Sequence, residues 1–154
     1  MNNQEKKFNR KRFILLNIIF PIFLGSILYY LIAPEVFFVK EIDKLLHIEN
    51  HNAIRINSGL MQLIRNHLFD FIWAYSLTNS LFVVFGYEAK RIKICVIISI
   101  VMGIVMEVIQ LSDPTWGAFD IWDIITEMIA ALLASLMIIK FFYQGGLENE
   151  EKRN

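Results

Sequence analysis

The stretch Gly103 to Ala134, GIVMEVIQLSDPTWGAFDIWDIITEMIAALLA, sets carboxyl and amide groups in two very apolar arms. Glu107 and Gln110 lie in the first arm and Asp113 in the hinge 112–118. Asp120, Asp123 and Glu127 lie in the second arm. Ionisable groups inside membrane segments are costly, so they are functional candidates by default. Asp120, Asp123 and Glu127 follow an i, i+3, i+7 spacing, which places them on one helix face, and Glu107 and Gln110 share a face by the same rule. Counting from the hinge at ~1.5 Å per residue, Glu107 and Asp123 sit level, and Gly103 and Glu127 sit level about two turns in. Small residues in both arms (Ser99, Gly103; Ala130, Ala131, Ala134, Ser135) predict a close seam between them. Level carboxylates without a partner repel. Three chemistries answer this. The acids can be protonated and hydrogen-bonded to Thr78, Asn79 and Gln110. They can pair with a cation such as Arg65, Lys44 or His67. Or they can hold a metal or cationic ligand group, with Glu107 and Asp123 as the metal candidates. The ordinary alternative is that these polar side chains only glue short helices together.

The elements that position these groups follow from composition. Of 154 residues, 56% are hydrophobic and 13 are Phe, and the mean hydropathy is +0.48. Several runs reach bilayer length. These features predict an all-α integral membrane bundle of four transmembrane helices, with an outer amphipathic loop or helix between the first two. Residues 1–12 form a basic cytoplasmic flank, 13–143 the membrane domain and 144–154 a polar tail. The first span runs from Phe13 to Ala33 as an uncleaved helix kinked at Pro21. Leu68 to Gly86 forms the second, Ile94 to Leu111 the third, and Phe119 to about Tyr143 the fourth. Between the first two, residues 34–66 carry too many charges to span. Apolar stripes there, including Ile56 to Leu68, predict one or two interfacial helices.

Lys6, Lys7, Arg10, Lys11 and Arg12 flank the first span, and Lys90, Arg91 and Lys93 the second turn, whereas the 112–118 hinge has no basic residue. The positive-inside rule then places both termini in the cytoplasm of a multi-pass cell-membrane protein. The basic flank reads as a topology determinant, and no nucleic-acid partner is expected. The single cysteine, Cys95, excludes an intrachain disulfide and reads as a small buried hydrophobe. Asp43, His47 and His51 at i, i+4, i+8 form a weak zinc pattern on a helix. Asp70, at the start of the second span, would favour a helix N-terminus. No phosphate loop, GxSxG or Cys–His pair occurs. No cofactor and no catalytic residue are assigned.

Asp70-Phe71-Ile72-Trp73-Ala74-Tyr75, Glu107-Val108-Ile109-Gln110 and Gly117-Ala118-Phe119-Asp120-Ile121-Trp122-Asp123-Ile124 together resemble the VanZ-like family over roughly residues 66–140. That family comprises small bacterial membrane proteins of the type associated with glycopeptide (teicoplanin) resistance. The chain departs from its pattern at Gly117 and Ala118, where an Arg is frequent. It departs again at Glu127 and Ala130, where Asn and Gly are frequent. The resemblance implies a cell-envelope role and glycopeptide or lipopeptide tolerance.

The resulting expectation is a non-enzymatic protein. Its outer acidic pocket (Glu107, Gln110, Asp120, Asp123, Glu127, Asp70, Arg65) binds an amphiphilic antibiotic, a cell-wall precursor or a partner, with membrane lipid around it. The alternatives are a metal-dependent enzyme acting on a lipid headgroup or lipid-linked precursor, and a structural subunit bound to another membrane protein.

Overall fold

The computed structural model describes residues 3–32, 37–48, 59–112 and 119–143. All regular structure in these residues is helical. The elements are α1 (Asn3–Ile14), a π turn (Leu15–Ile19), α2 (Phe20–Ile32), α3 (Phe37–Leu45), α4 (Gly59–Val84), α5 (Ile92–Ser112) and α6 (Ile121–Phe142). Among the described residues, three continuous helical stretches are long and apolar enough to cross a membrane: Asn9–Ile32, Ala89–Ser112 and Ile121–Phe142.

The π turn has an identifiable cause. Pro21 has no N–H to return to the carbonyl of Asn17, and its ring crowds that carbonyl. The helix widens just before it, and the Phe20 N–H reaches back to the Leu15 carbonyl. The widened turn carries Asn17, which is 4% exposed. Its Nδ2 donates to the Phe13 carbonyl at 3.2 Å, and its Oδ1 accepts from the Tyr75 hydroxyl at 2.6 Å. Both the nitrogen and the oxygen of this buried amide thus have a partner within the apolar run.

Helix α4 is the centre of the bundle and packs against α2, α5 and α6. It is less apolar than its neighbours because its polar side chains turn inward: Ser76, Thr78 and Asn79 are all buried. The outward residues of the other helices are apolar instead, among them Phe23, Val101, Val108, Leu132 and Leu136. An exposed apolar surface of that extent marks a membrane-contacting face. Gly25 lets α2 approach α4, since a Cβ there would sit 3.1 Å from Ile72 Cδ1.

One end of the bundle is closed by aromatic rings. Phe13 meets Phe82, Phe141 and Phe142, with the last centroid at 4.9 Å. There α4 ends in a Schellman motif: the Tyr87 N–H bonds the Phe82 carbonyl and the Gly86 N–H bonds the Val83 carbonyl. Gly86 takes φ +89°, the left-handed value this cap needs. Arg10 lies 4.4 Å over the Tyr87 ring. In the turn that follows, Lys90 and then Arg91 hold the Glu88 carboxyl below its ordinary range.

Three expectations need correction. The helix that includes the expected second span does not begin at Leu68. It begins at Gly59, so the Ile56–Leu68 stripe largely belongs to α4 and is not a separate interfacial helix. Asp70 therefore lies in a helix interior, and the N-terminal dipole account of it fails. The zinc pattern fails because α3 stops at Leu45 and His47 has φ +58°. The N–H groups of His47 and Ile48 cap the Lys44 and Asp43 carbonyls there. Asp43 instead accepts from the Tyr30 hydroxyl at 2.6 Å, tying α3 to α2. His51 lies outside the described residues. Before α4 starts, the described residues of the expected outer segment hold one helix, α3.

Candidate functional site

At the end opposite the aromatic rings, α4, α5 and α6 bring acids together. Asp120 caps α6, its Oδ1 accepting from the Trp122 N–H at 2.9 Å. An Asp before an apolar run is a strong N-cap, which explains why α6 starts where it does. Asp120 also ties in α5, since its own N–H donates to Glu107 Oε2 at 2.9 Å. Glu107 is thereby held beside the positive end of α6, and it is only 5% exposed. Gln110 follows one turn later on α5.

Asp123, one turn into α6, meets α4. Its Oδ1 lies 2.5 Å from His67 Nδ1, and the two side chains are 18% and 15% exposed. A carboxylate can only accept, so the ring nitrogen carries the hydrogen. Asp70 stands one turn after His67, and the charges of Asp123 and Glu107 act on it. Donor atoms of His67, Asp120 and Asp123 all lie within 4.8 Å of one another.

Glu127 sits one turn deeper than Asp123 and is 7% exposed. A Cβ on Gly103 would fall 1.6 Å from its Oε2, so the carboxylate fills the space that the glycine leaves open. Among the described residues that oxygen has no hydrogen-bond partner. Asp70, Glu107 and Asp123 are all within its electrostatic reach. Ser76 Oγ and Asn79 Oδ1 on α4 are buried and unpartnered as well.

The sequence-derived residues thus divide. Glu107, Asp120, Asp123, Glu127 and Asp70 converge. The side chain of Arg65 lies outside the described set. Glu107 and Asp123 are level, yet their hydrogen bonds go to different groups, the Asp120 backbone and His67. Gly103 and Glu127, also level, are in contact. The seam differs from expectation too, since Gly103 faces the Glu127 carboxylate where Ala130 was expected. Ser99 Oγ donates to the Ala74 carbonyl of α4. Thr78 and Asn79 do not bond the acids through their donors. Each donates to its own helix, to the Ala74 and Tyr75 carbonyls. His67 entered the sequence reading only as one of three available cations. Its i, i+3 spacing to Asp70 was the signal that the two share a face.

A separate cavity of about 230 Å³ opens between α2, α3 and α4, lined mostly by apolar groups with Ser26, Tyr29 and Tyr30 among them. Phe69 and Trp73 of its wall flank Asp70 along α4, but the acids themselves do not line it. No family model matches this chain, and no curated protein or solved structure matches it either.

Proposed function

We propose that the chain is a multi-pass protein of a bacterial cell membrane, related to the VanZ-like family. In this reading four helices cross the bilayer, with α4 as the inward-facing fourth, and both termini lie in the cytoplasm. The acidic end then faces outward. It binds the polar head of an amphiphilic envelope molecule, and the apolar cavity between α2, α3 and α4 receives part of its tail. No reaction is required of it. The observation that carries the reading is the Glu127 carboxylate, buried among three other acids with one oxygen that no donor among the described residues satisfies. A buried polar group left unmatched costs on the order of 1–3 kcal/mol, which a bound ligand recovers. Glue between helices would be expected to satisfy its own polar atoms.

The test is antibiotic susceptibility in a host lacking the protein, with expression held at the wild-type level. Wild type is expected to raise tolerance of a glycopeptide or lipopeptide. Glu127→Gln and Asp123→Asn are expected to remove that protection. Full protection by the double variant would end the binding reading.

A further inference from the structure

At the end of the bundle opposite the acids, the first turns of α5 and the last turns of α6 leave a groove of about 630 Å³ between them. Ile92, Val96 and Ile97 line it from α5, and Leu132, Ile139 and Tyr143 from α6. Ala89 and Ser135, both small, complete the lining with Lys93. The hydroxyls of the lining are engaged elsewhere. Ser135 Oγ donates to the Leu132 carbonyl at 2.7 Å, and the Tyr143 hydroxyl donates to the Tyr87 carbonyl at 2.9 Å. The body of the groove therefore offers an occupant apolar contact and nothing else.

The exception is Lys93, the one charged residue in the lining. It is exposed and makes no ion pair among the described residues. Its neighbours Lys90 and Arg91 both hold Glu88, at 3.1 and 3.3 Å, so the acid of this turn is already neutralised. A lysine stem lies along apolar surface while its ammonium reaches the membrane interface. The turn Ala89–Arg91 leads straight into α5 and has no side-chain cap from Glu88, so the positive end of that helix lies at the same mouth. The length fits as well. The wall from Leu132 to Tyr143 measures ~16 Å at ~1.5 Å per residue, close to one leaflet of hydrocarbon, ~15 Å.

Lipid touches every outward face of a membrane bundle, but a leaflet-deep apolar groove with an unpaired cation at its mouth selects by charge. We propose that the groove between α5 and α6 binds one anionic phospholipid, with an acyl chain between Ile97 and Leu132 and the phosphate at Lys93. Residues 144–154 suit the groove poorly, since Leu147 is their only apolar side chain. In the topology proposed above, the lipid belongs to the cytoplasmic leaflet. The site requires that the chain span a membrane, and it is independent of any ligand at the acidic end.

The experiment uses the full chain, purified in detergent and stripped of lipid. It is titrated with phosphatidylglycerol, phosphatidylcholine or soluble glycerol phosphate. Bound lipid is counted by native mass spectrometry, and the melting temperature is recorded at each step. Wild type is expected to bind one phosphatidylglycerol and to melt higher with it. Phosphatidylcholine should bind about fivefold more weakly, and glycerol phosphate should do nothing. Lys93→Gln removes the charge and should lower phosphatidylglycerol affinity about fivefold, leaving phosphatidylcholine unaffected. Added salt should shrink the same preference. Ser135→Leu places a branched side chain in the groove and should weaken both lipids. Melting of each lipid-free variant checks that the fold is kept, and Lys40→Gln on α3 should match wild type. Equal affinity for the two lipids, or full preference in Lys93→Gln, would overturn the site. A dimer that Ser135→Leu dissociates and lipid does not would overturn it in favour of a second copy. A rise in lipid affinity on deleting residues 147–154 would give the groove to the tail. Selective lipid binding by a chain that confers no antibiotic protection would sink only the reading of the acidic end.

Discussion

Gly103 is the residue at which a single added carbon bears most directly on the acidic end. A Cβ there falls 1.6 Å from Glu127 Oε2, so the carboxylate must leave its place or α5 and α6 must part. Gly103→Ala is expected to lower stability in detergent by about 1–3 kcal/mol, the usual range for overpacking. In a Glu127→Ala background the new methyl enters vacated space, and the cost should shrink by about 1 kcal/mol or more. Thermal melts of the four variants give the coupling, and equal costs in both backgrounds would mean that the contact does not exist. This contact also shows how far counting along a sequence reaches. The equal depth of Gly103 and Glu127 was legible from the hinge and the helical rise. Which neighbour fills the glycine's space was not, because that depends on how the helices rotate about their axes.

At the scale of elements, polar residues within apolar helices mark the contacts that fix helix register. Asn17 meets Tyr75 only because the π turn brings it inward, and Pro21 produces that turn. Tyr75→Phe keeps the ring and its stacking on Phe71, centroids 6.2 Å apart, but orphans Asn17 Oδ1. The expected loss is ~0.6–2 kcal/mol, within the measured span for hydrogen bonds between membrane helices. Asn17→Leu should make Tyr75→Phe nearly neutral, and a persistent cost in that background would argue against the pair. Hydropathy predicted four membrane-length helices, and three described helical stretches are long and apolar enough to be such spans; the cluster of acids around the hinge was legible as well. The start of α4 was not. Arg65 and its polar neighbours made the Ile56–Leu68 stripe read as a separate interfacial helix, because hydropathy reports the surroundings of a helix, and the first turns of α4 need not lie in lipid. His67 escaped the site list for a related reason. Its partner Asp123 is 56 residues away in the chain, and nothing local in sequence joins them.

For the whole molecule, topology is the property on which the acidic site depends. A cysteine placed at Thr115 should react with an impermeant reagent added outside cells, and one at Lys90 should not. Reaction at Thr115 from the cytoplasmic side alone would put the acids on the wrong face and remove any access to an extracellular ligand. The far end of the bundle carries a different consequence. The rings of Phe141 and Phe142 close over Phe13 at 5.4 and 4.9 Å, so the last helix made completes a packing site begun by the first. During synthesis the Phe13 face lacks these two rings until α6 has left the ribosome. The packing at this end is therefore complete only after α6 is made. A nascent chain that stalls before Phe141 leaves the Phe13 ring without two of the three partners it has in the completed bundle.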